Sequence, residues 1–478
     1  MKSRFNLLVV LCLVAAFPSG SPAQVETESA PDRRNNPNII LIFTDDQGYQ
    51  DIGCFGSPDI KTPNLDRMAE EGVRFTSFYS ACSVCSPSRA ALLTGCYPPR
   101  VGVTKVLFPR DDTGLSPDEI TIAEVLKEQG YATACVGKWH LGHKPGFLPT
   151  RQGFDTYYGI PYSNDMKLDP ESAFADDAVL REEWTMEKIA EIAEGDQPKN
   201  CVPLMRDELI VEYPADQTTL SRRYTEEAVR FISENKDQPF FLYLPHTMPH
   251  IPLFVSEEFE GKSEAGLYGD TIEEIDWSVG QIMEALKQNE LDTNTLVVYT
   301  SDNGPWDLSS GHGGCAEPLR GFKFSTYEGG MRVPCIMRWA GTVPAGSRTD
   351  EIASTIDLMP TIARLAGAAL PADRVIDGHD IFDLMTELDA LTPHEAFYYY
   401  RGQRIRAVRM GQWKLHITPA NRNKELPELV ELFDLSNDIS ESNNLASDHP
   451  DMVESLRERS SEFHRSLQEN SRNSGVGN

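Results

Sequence analysis

The sequence predicts an α/β fold in which a large, mixed but mostly parallel sheet is sandwiched between helices. The first observation behind this prediction is a set of short apolar runs, such as Asn38–Thr44, that are typical of strands buried on both faces. The second is that these runs alternate with segments of helical period, as connected parallel strands require. The third is a change of pattern after residue 366, which predicts a smaller C-terminal α+β subdomain containing an antiparallel sheet.

The elements of the main sheet can be placed one by one. A helix follows the first strand, with Thr62 as N-cap, Pro63 at the first helical position and Gly72 as C-cap. Thr121 and Glu124 form the capping box of another helix. The other predicted elements are strands at 131–136, 240–244 and 296–300 and helices at 224–235 and 269–289.

Two later regions have a different character. The charged stretch 166–217, with a short helical run near 187–193, is expected to form an excursion above the sheet. Alternating β-formers at 397–417 predict an antiparallel hairpin, and 452–467 has the pattern of a closing amphipathic helix. The predicted divisions are a signal peptide (1–23), a linker (24–37), a catalytic domain (38–366), a C-terminal subdomain (367–470) and a flexible tail (471–478).

The N-terminus has the pattern of a secretory signal peptide. Lys2 and Arg4 precede an apolar run at 5–17, and small residues at 21 and 23 fit a cleavage site. The run is shorter than the ~20 residues that span a bilayer, so we expect an exported protein with no membrane segment. No asparagine begins an Asn-x-Ser/Thr glycosylation acceptor, which favours a bacterial periplasmic or secreted protein.

Composition argues against nucleic acid as a partner. The formal net charge is −29 over 478 residues, whereas nucleic-acid binding requires a basic footprint. An anionic substrate remains compatible with this charge, because screening confines surface fields to ~8 Å at physiological salt. The cysteines beyond Cys12 of the signal peptide are scattered along the chain, unlike a disulfide framework.

Charged or polar residues follow four of the predicted strands at their carboxyl ends, where open α/β sheets bind ligands. Unrelated turns need not all collect such groups, so we interpret the four ends as parts of one site. The residues are Asp45 and Asp46, Lys138 and His140, His246 and His250, and Asp302 and Asn303.

Three carboxylates and one amide in this set offer oxygen ligands. Asp45, Asp46, Asp302 and Asn303 suit a hard cation, calcium or magnesium, better than zinc. A dry cluster of three carboxylates is costly without a counter-charge, and a bound cation would supply it.

A short helix is predicted with Ser86 as N-cap, Pro87 at the first position and Gly95 as C-cap. Cys85 then lies at the positive end of the helix, where a thiolate is stabilised, and Arg89 lies one turn along. A cysteine three residues earlier completes a C-x-x-C spacing. A redox role lacks the thioredoxin-type context, and a zinc role lacks a second pair of ligands.

The segment "CSPSRAALLTG" resembles the sulfatase signature, C-x-P-S-R followed by a Thr-Gly pair. The resemblance covers residues 38 to about 446 and is that of an arylsulfatase A-type enzyme of the alkaline phosphatase superfamily. The other segments that carry it are, in order, "TDDQGYQDIG", "TPNLDRMAEEG", "GKWHLGH", "GIPYSND", "PHTMPHIP", "SDNG", "RGFKFSTYEGGMRVP" and "ELFDLSND".

The resemblance implies a hydrolase of sulfate monoesters. It implies that a formylglycine-generating enzyme oxidises Cys85 to formylglycine, whose hydrate attacks the sulfur of the ester. It also implies calcium, held by the four oxygen ligands above together with modified Cys85. The tract from "DRVIDGHDI" to "FYYYRG" loosely resembles the galactosamine-6-sulfatase branch. A sulfated small molecule or glycan is the expected substrate.

Catalytic roles also follow from the resemblance. Arg89 is expected to hold the hydrate, and His140 to assist removal of its proton. His250 is expected to protonate the leaving-group oxygen, with His246 as the rival for that role. His312 is either a substrate contact or a loop residue.

Sulfate-binding roles fall on Lys138, Lys323 and Ser163, with His250 beside them. One departure from the family pattern concerns Phe322 and Phe324, which flank Lys323 where at least one glycine is usual. These rings are expected to narrow the pocket beside the sulfate.

Two other functions stay open at this point. A phosphate mono- or diesterase of the same superfamily would generally use Ser or Thr with two zinc ions and more histidine ligands. A catalytically silent binder of sulfated glycans would result if Cys85 were never modified.

Overall fold

The computed structural model describes residues 36–477 except 170, 182, 194–197, 308–310 and 420–426. The predicted signal peptide (1–23) and nearly all of the predicted linker (24–37) lie outside the described residues. Among the described residues, no helix combines the length and the apolar character needed to cross a membrane.

The helices are α1 (Pro63–Glu70), α2 (Cys85–Thr94), α3 (Ile122–Glu128), α4 (Met186–Ala193), α5 (Leu220–Glu234), α6 (Gly266–Gln288), α7 (Glu328–Met331), α8 (Leu358–Leu365), α9 (Phe382–Thr386) and α10 (Pro450–Glu469).

The strands are β1 (Asn38–Thr44), β2 (Val73–Phe75), β3 (Phe78–Tyr79), β4 (Thr113–Gly114), β5 (Ala132–Val136), β6 (Thr156–Gly159), β7 (Phe174–Leu180), β8 (Leu204–Arg206), β9 (Leu209–Tyr213), β10 (Phe240–Pro245), β11 (Thr295–Ser301), β12 (Cys335–Arg338), β13 (Ser347–Thr349), β14 (Ala353–Ser354), β15 (Phe397–Arg401), β16 (Arg404–Met410), β17 (Trp413–Thr418), β18 (Leu429–Asp434) and β19 (Gly475–Val476).

The main sheet of the described chain has the strand order β13-β2-β12-β11-β1-β10-β5-β6-β8-β9-β7. Its centre is parallel: β1 lies between β10 and β11, and β10 also pairs with β5. Antiparallel pairs occur towards both sides, where β12 joins β11 and β8 joins β6. The prediction of a mixed, mostly parallel sheet is confirmed.

Every residue of β1 is buried because helices cover both faces of the sheet. Ile39 and Leu41 point into one core with residues of α2, α3 and α8, while Ile40 and Ile42 point into the other with residues of α6. This alternation explains why a strand at the centre of the sheet reads as a continuous apolar run.

The predicted helix termini are right in part. The Thr121–Glu124 capping box of α3 is present, and Gly95 ends α2 with φ 66°. The C-cap of α1 is Glu71 instead of Gly72. Helix α2 begins two residues earlier than predicted, at Cys85, with Val84 as N-cap; the Ser86 hydroxyl accepts a hydrogen bond from the Leu107 N–H (3.1 Å) and does not cap the helix.

The expected excursion at 166–217 is wrong. Strands β7, β8 and β9 of this segment extend the main sheet beyond β6, and α4 lies near the predicted helical run. The expected flexible tail is also wrong for Gly475 and Val476, which pair with β4. Most of these strands are short, and β7 carries two adjacent aspartates, so a hydrophobic pattern does not reveal their pairing.

The C-terminal region forms a second, antiparallel sheet, β15-β16-β17-β18, against which α10 packs. Its core continues into residues before and after α2. At the junction Glu328 accepts hydrogen bonds from Tyr79 (2.6 Å), Tyr399 (2.8 Å) and Lys414 (2.8 Å), all buried. This buried polar network fixes the second sheet beside the carboxyl end of the first.

Candidate active site

The carboxyl ends of β1, β5, β10 and β11 meet at the centre of the main sheet, as the sequence predicts. Asp45 and Asp46 follow β1, and Asp302 follows its neighbour β11. Asp46 has φ 64° and its N–H donates to Asp302 Oδ1 (3.1 Å), so the turn after β1 is tied to the turn after β11. A short polar side chain tolerates this left-handed conformation better than a branched one.

Cys85 is 2% exposed and its sulfur lies among charged groups. The thiol donates to Asp45 Oδ1 (3.5 Å), Asp46 Oδ1 is 4.0 Å away, and Lys323 Nζ is 3.3 Å away. Burial, followed by the Asp45 carboxylate, raises the pKa of this thiol well above its usual value. The stabilised thiolate expected at the helix terminus is therefore disfavoured, because burial and the carboxylate outweigh the helix dipole and the lysines.

Three buried carboxylates face three buried cations in this site. Lys138 donates to Asp45, and Lys323 Nζ lies 2.6 Å from Asp46 Oδ1. Arg89 donates to Asp302 Oδ2 through Nε (3.1 Å) and Nη2 (2.9 Å). The sequence predicted that a bound cation neutralises these carboxylates. The two lysines and the arginine supply at least part of that positive charge.

The carboxylates of this cluster titrate differently. Burial opposes ionisation of Asp45, yet Lys138, His250 and Arg89 together hold its pKa well below the ordinary value. Burial and the neighbouring charge of Asp45 raise the pKa of Asp302 to about 7. Two carboxylates this close oppose each other's ionisation. Lys138, the lysine nearest to Asp45, favours ionisation of Asp45 over that of Asp302.

The donor set also fits a hard cation. Asn303 Oδ1 is buried and accepts no hydrogen bond, while its Nδ2 donates to Asp46 Oδ1 (2.7 Å). Ligand atoms of Asp45, Asp46, Cys85 and His250 lie within 4.8 Å of one another. A buried amide oxygen without a donor, next to two carboxylates, is what an oxygen-ligated cation requires. Asp302 is more remote from this group because Arg89 engages its outer oxygen.

His250 and Ser163 lie on the opposite side of the cluster from Arg89. His250 Nδ1 is 3.0 Å from Asn164 Oδ1, which fixes the ring, and Nε2 is 3.2 Å from Ser163 Oγ and 3.5 Å from Asp46 Oδ2. Lys138 donates to the same serine (3.2 Å). Burial and the charge of Lys323 lower the pKa of His250 to about 4.

His140 is buried with its Nε2 2.9 Å from the Leu107 carbonyl, and its Nδ1 has no hydrogen-bond partner. Its φ of 60° turns the ring back from the end of β5. Burial and the charges of Lys138 and Arg89 hold its pKa well below the ordinary value. Nδ1 of the neutral ring is therefore the nitrogen that can accept a proton, and the donor must lie within hydrogen-bonding distance of it.

The structure places the two other histidines outside the group of clustered ligand atoms. His246 Nε2 lies 3.4 Å from Ser278 Oγ on α6, under the sheet end, and His246 is not among the clustered ligand atoms. His312 packs edge-on against Tyr268, and its Nε2 is 2.6 Å from the Pro249 carbonyl. Of the two rivals, His250 is the one whose ring lies in the cluster.

Sequence reasoning missed two residues of the site. Trp306 places its ring 4.6 Å from Lys323 Nζ, a cation–π contact that holds the ammonium. Asn164 orients His250, as described above. Both stand next to residues that the motifs did identify, in "SDNGPW" and "YSND", but their roles depend on contacts between distant segments.

Phe322 and Phe324 do not close the space beside Lys323. Each ring is 41% exposed, and both line a cavity of about 470 Å³ that opens from the lysine towards the C-terminal sheet. Phe324 has φ 72°, the conformation that a glycine would adopt without strain. The expected narrowing is replaced by an aromatic rim.

Comparison of this chain with known proteins gives two matching family models and a set of similar enzymes. The family model "Sulfatase" matches residues 37–368, and the model "N-sulphoglucosamine sulphohydrolase, C-terminal" matches residues 322–469. N-acetylgalactosamine-6-sulfatase of Canis lupus familiaris is 39% identical, over 86% of this chain and 75% of its own length. Arylsulfatase A of Homo sapiens is 38% identical, over 88% and 86%.

Solved structures give the same result. Ps i-CgsB in complex with k-i-k-neocarrahexaose is 33% identical with a TM-score of 0.77, covering 92% of this chain and 95% of that chain. The phosphonate monoester hydrolase of Agrobacterium radiobacter, 18% identical with a TM-score of 0.61, shares the fold.

The fold and the site define an enzyme of the alkaline phosphatase type, with its centre at the carboxyl end of a mixed sheet. The chain belongs to the sulfatase family. It is a sulfatase, an enzyme of sulfate ester hydrolysis.

Because His246 is buried in its neutral form, we predict that the folded protein loses stability in mild acid. Burial lowers the pKa of His246 from 6.5 to about 4, so the folded protein binds this proton more weakly than the unfolded chain does. The stability contribution of a neutral ring is complete above pH 6.5 and is lost as pH falls towards 4. We expect His246→Gln to flatten the decline in the free energy of unfolding over this range, measured by urea denaturation.

The control for this experiment is His449→Gln, which changes an exposed ring. This variant should show the wild-type dependence of the free energy of unfolding on pH. If His246→Gln also keeps that dependence, His246 is not a buried neutral group.

Proposed function

We propose that this sulfatase hydrolyses sulfate monoesters of carbohydrates with a formylglycine made from Cys85 and a calcium ion. The observation that carries the proposal is the state of Cys85: its thiol sits among sulfate-binding cations but is held protonated by burial and Asp45. A protonated thiol is a weak nucleophile, so the position favours a residue that is modified before it acts.

Formylglycine, as its hydrate, would supply the oxygen nucleophile, and calcium would supply positive charge that acidifies this hydroxyl and binds sulfate oxygens. Asp45, Asp46, Asp302 and Asn303, with modified Cys85, would hold the calcium. Of these, Asn303 gives the most direct support, since its buried oxygen has no other partner.

Cationic side chains would bind the sulfate group. With Asp45 and Asp46 engaged as ligands, the ammonium groups of Lys138 and Lys323 have protons available for sulfate oxygens. Ser163 stands beside Lys138 and His250, within reach of the same anion. The fixed geometry of these buried groups avoids reorganisation when charge moves during the reaction.

His250 would donate the proton to the leaving oxygen. Its Nδ1 faces Asn164 Oδ1, so Nε2 faces the cluster, where the ester oxygen would lie. A bound sulfate anion raises the pKa of this imidazole, which favours its protonated form in the complex. His140 would take a proton from the nucleophile through its open Nδ1, and Arg89 would hold the nucleophile from the other side.

Similarity to glycan sulfatases supports a sulfated carbohydrate as substrate. One relative acts, by its name, on N-acetylgalactosamine 6-sulfate groups, and the solved Ps i-CgsB complex contains k-i-k-neocarrahexaose. Export to a periplasm or to the exterior, where sulfated polysaccharides occur, is part of the same proposal. The formylglycine-generating enzyme would be the partner during maturation.

The modification of Cys85 tests the proposal directly. We expect peptide mass spectrometry of protein from the native host to show the aldehyde at Cys85, trapped by a hydrazide probe. Cys85→Ser should lose sulfatase activity on nitrophenyl sulfate to background while it unfolds at the wild-type urea concentration, because the side chains are similar in size.

Other outcomes would select another function. An unmodified thiol in active wild-type protein would contradict the formylglycine proposal. An unmodified thiol without turnover, but with binding of sulfated oligosaccharides, would favour a silent binder. Phosphatase activity above sulfatase activity on matched nitrophenyl esters would favour a phosphoesterase.

Calcium binding can be measured without activity. In protein stripped with a chelator, we expect the unfolding temperature to rise with added calcium, since a ligand that binds only the folded state stabilises it. Asn303→Ala should weaken calcium binding roughly tenfold, equivalent to about 1.4 kcal/mol, by removing one oxygen ligand.

Asn289→Ala, at the far end of α6, is the matched control and should retain wild-type calcium dependence. A wild-type unfolding temperature that ignores calcium would contradict the metal proposal, and an unchanged Asn303→Ala response would remove Asn303 from the ligand set.

The role of His250 predicts a dependence on the leaving group. His250→Ala should reduce kcat more for an alkyl sugar sulfate than for nitrophenyl sulfate, because nitrophenolate leaves without a proton. A difference of about 10²-fold between the two losses is expected for a general acid. His246→Ala should show no such difference, and equal losses for His250→Ala on both substrates would show that it is not the acid.

A further inference from the structure

The cavity beside Lys323 extends the active site towards the C-terminal sheet. Its volume is about 470 Å³, and Lys323 contributes to its wall as well as to the cluster around Cys85. We call it the arginine cavity, and its relevant lining residues are Phe322, Phe324, Tyr327, Arg401, Arg406 and His416. A substrate bound at Cys85 through one sulfate group would place its next sugar unit here.

Arg401 and Arg406 of the β15–β16 hairpin line this cavity, and Arg404 lies between them in the chain. Arg401 and Arg404 are direct partners across the hairpin, and Arg406 lies two residues further along β16, at a bulge in the pairing of the two strands. Like charges placed directly opposite each other destabilise a β-hairpin. Burial, followed by the charges of Arg401 and Arg404, lowers the pKa of Arg406, as expected for a cation beside like charges.

In the described parts of the chain, no carboxylate forms an ion pair with these three arginines. Within the described ranges of the chain, Arg401, Arg404 and Arg406 have no ion-pair partner, and the buried Nε of Arg406 has no hydrogen-bond partner. The nearby Arg320 contrasts with them, because it pairs with Glu431 (3.2 Å). In a chain with 73 acidic and 44 basic residues, an unneutralised cluster of arginines indicates a site for an external anion.

Aromatic rings complete the cavity. Phe322 and Phe324 are each 41% exposed at its rim, and Tyr327 is stacked on His416 with ring centroids 4.1 Å apart. Burial and the charge of Lys414 lower the pKa of His416 to about 3, so this ring adds no positive charge. Apolar faces beside fixed cations suit a sugar ring that carries an anionic group.

The hairpin is attached to the nucleophile segment. Tyr400 forms a bridge with Cys82, three residues before Cys85, and the Cys82 thiol lies 3.9 Å from the Tyr400 carbonyl oxygen. Arg401 follows this bridge directly. The arginines are therefore held at a fixed position relative to Cys85, as a subsite needs.

We propose that the arginine cavity is a second anion subsite, which binds a sulfate or carboxylate on the sugar next to the one whose sulfate ester is cleaved. The proposal rests on the proposed function and narrows the substrate class to oligosaccharides with more than one anionic group. Arg401 and Arg406 would donate charge-assisted hydrogen bonds to that group, and the aromatic rim would contact its sugar ring.

Kinetics of the double variant Arg401→Gln/Arg406→Gln test this subsite. The substrates are nitrophenyl sulfate, a monosulfated disaccharide, its counterpart with a second sulfate on the neighbouring sugar, and its counterpart with a uronic carboxylate there. We expect kcat/KM to fall roughly 10- to 100-fold on the substrate whose second anion is bound, since hydrogen bonds to charged groups contribute about 1.5–3 kcal/mol. Nitrophenyl sulfate should change by less than about twofold.

The control variant Arg465→Gln removes an exposed arginine from α10 and should leave all four values unchanged. A selective fall with the disulfated disaccharide identifies sulfate, and one with the uronate identifies carboxylate. An equal fall on every substrate, or no fall on either two-anion substrate, overturns the proposal.

Binding measurements distinguish a failure of the second anion subsite from a failure of the proposed sulfatase mechanism. Calorimetry with Cys85→Ala protein measures affinity for the same disaccharides without turnover. If wild type hydrolyses no sulfate ester but the arginine variant binds the two-anion disaccharide more weakly, the proposed function fails and the subsite stands. If wild type is active and binding is unaffected by the arginine variant, the subsite fails alone.

Discussion

The structure of this enzyme depends on burying six charges at the centre of its sheet. The three carboxylates and Lys138 follow strands β1, β5 and β11, while Arg89 and Lys323 come from α2 and the loop before α7, and all six side chains are at most 2% exposed. Such a cluster is stable only when every charge has a partner at short range. The parallel strands supply this condition, because adjacent strands end at the same edge and bring their polar turns together.

This balance explains the condition of Cys85. Its sulfur accepts a hydrogen bond from Lys323 and its thiol donates one to Asp45, and the residue is 2% exposed. Burial and the carboxylate decide the outcome, so the thiol stays protonated and unreactive. Under the proposed function, this position holds a sulfate anion but is unsuited to an unmodified thiol nucleophile, and modification of Cys85 would resolve that conflict.

The second sheet contributes to the site through charge as well as packing. Lys414 and Glu328 connect it to the main domain in a buried polar network, while Arg401, Arg404 and Arg406 have no carboxylate ion-pair partner among the described residues. The same sheet therefore contains compensated charges where it is buried and uncompensated charges where it faces the cavity. Under the proposed second anion subsite, structural and recognition roles are separated within one sheet, because Lys414 lies on β17 and the arginines lie on β15 and β16.

The sequence by itself determined the sheet, the strand ends and the motif residues, because apolar runs and turn residues are local properties of the chain. It did not determine which of His246 and His250 enters the site, since that depends on α6 packing under the first of them. It also missed the sheet extension at β7–β9, where short polar strands pair only through tertiary contacts. Protonation of Cys85, the counter-charges of the carboxylates and the arginine cavity were likewise decided by the tertiary structure, because each depends on the distance between segments far apart in the chain.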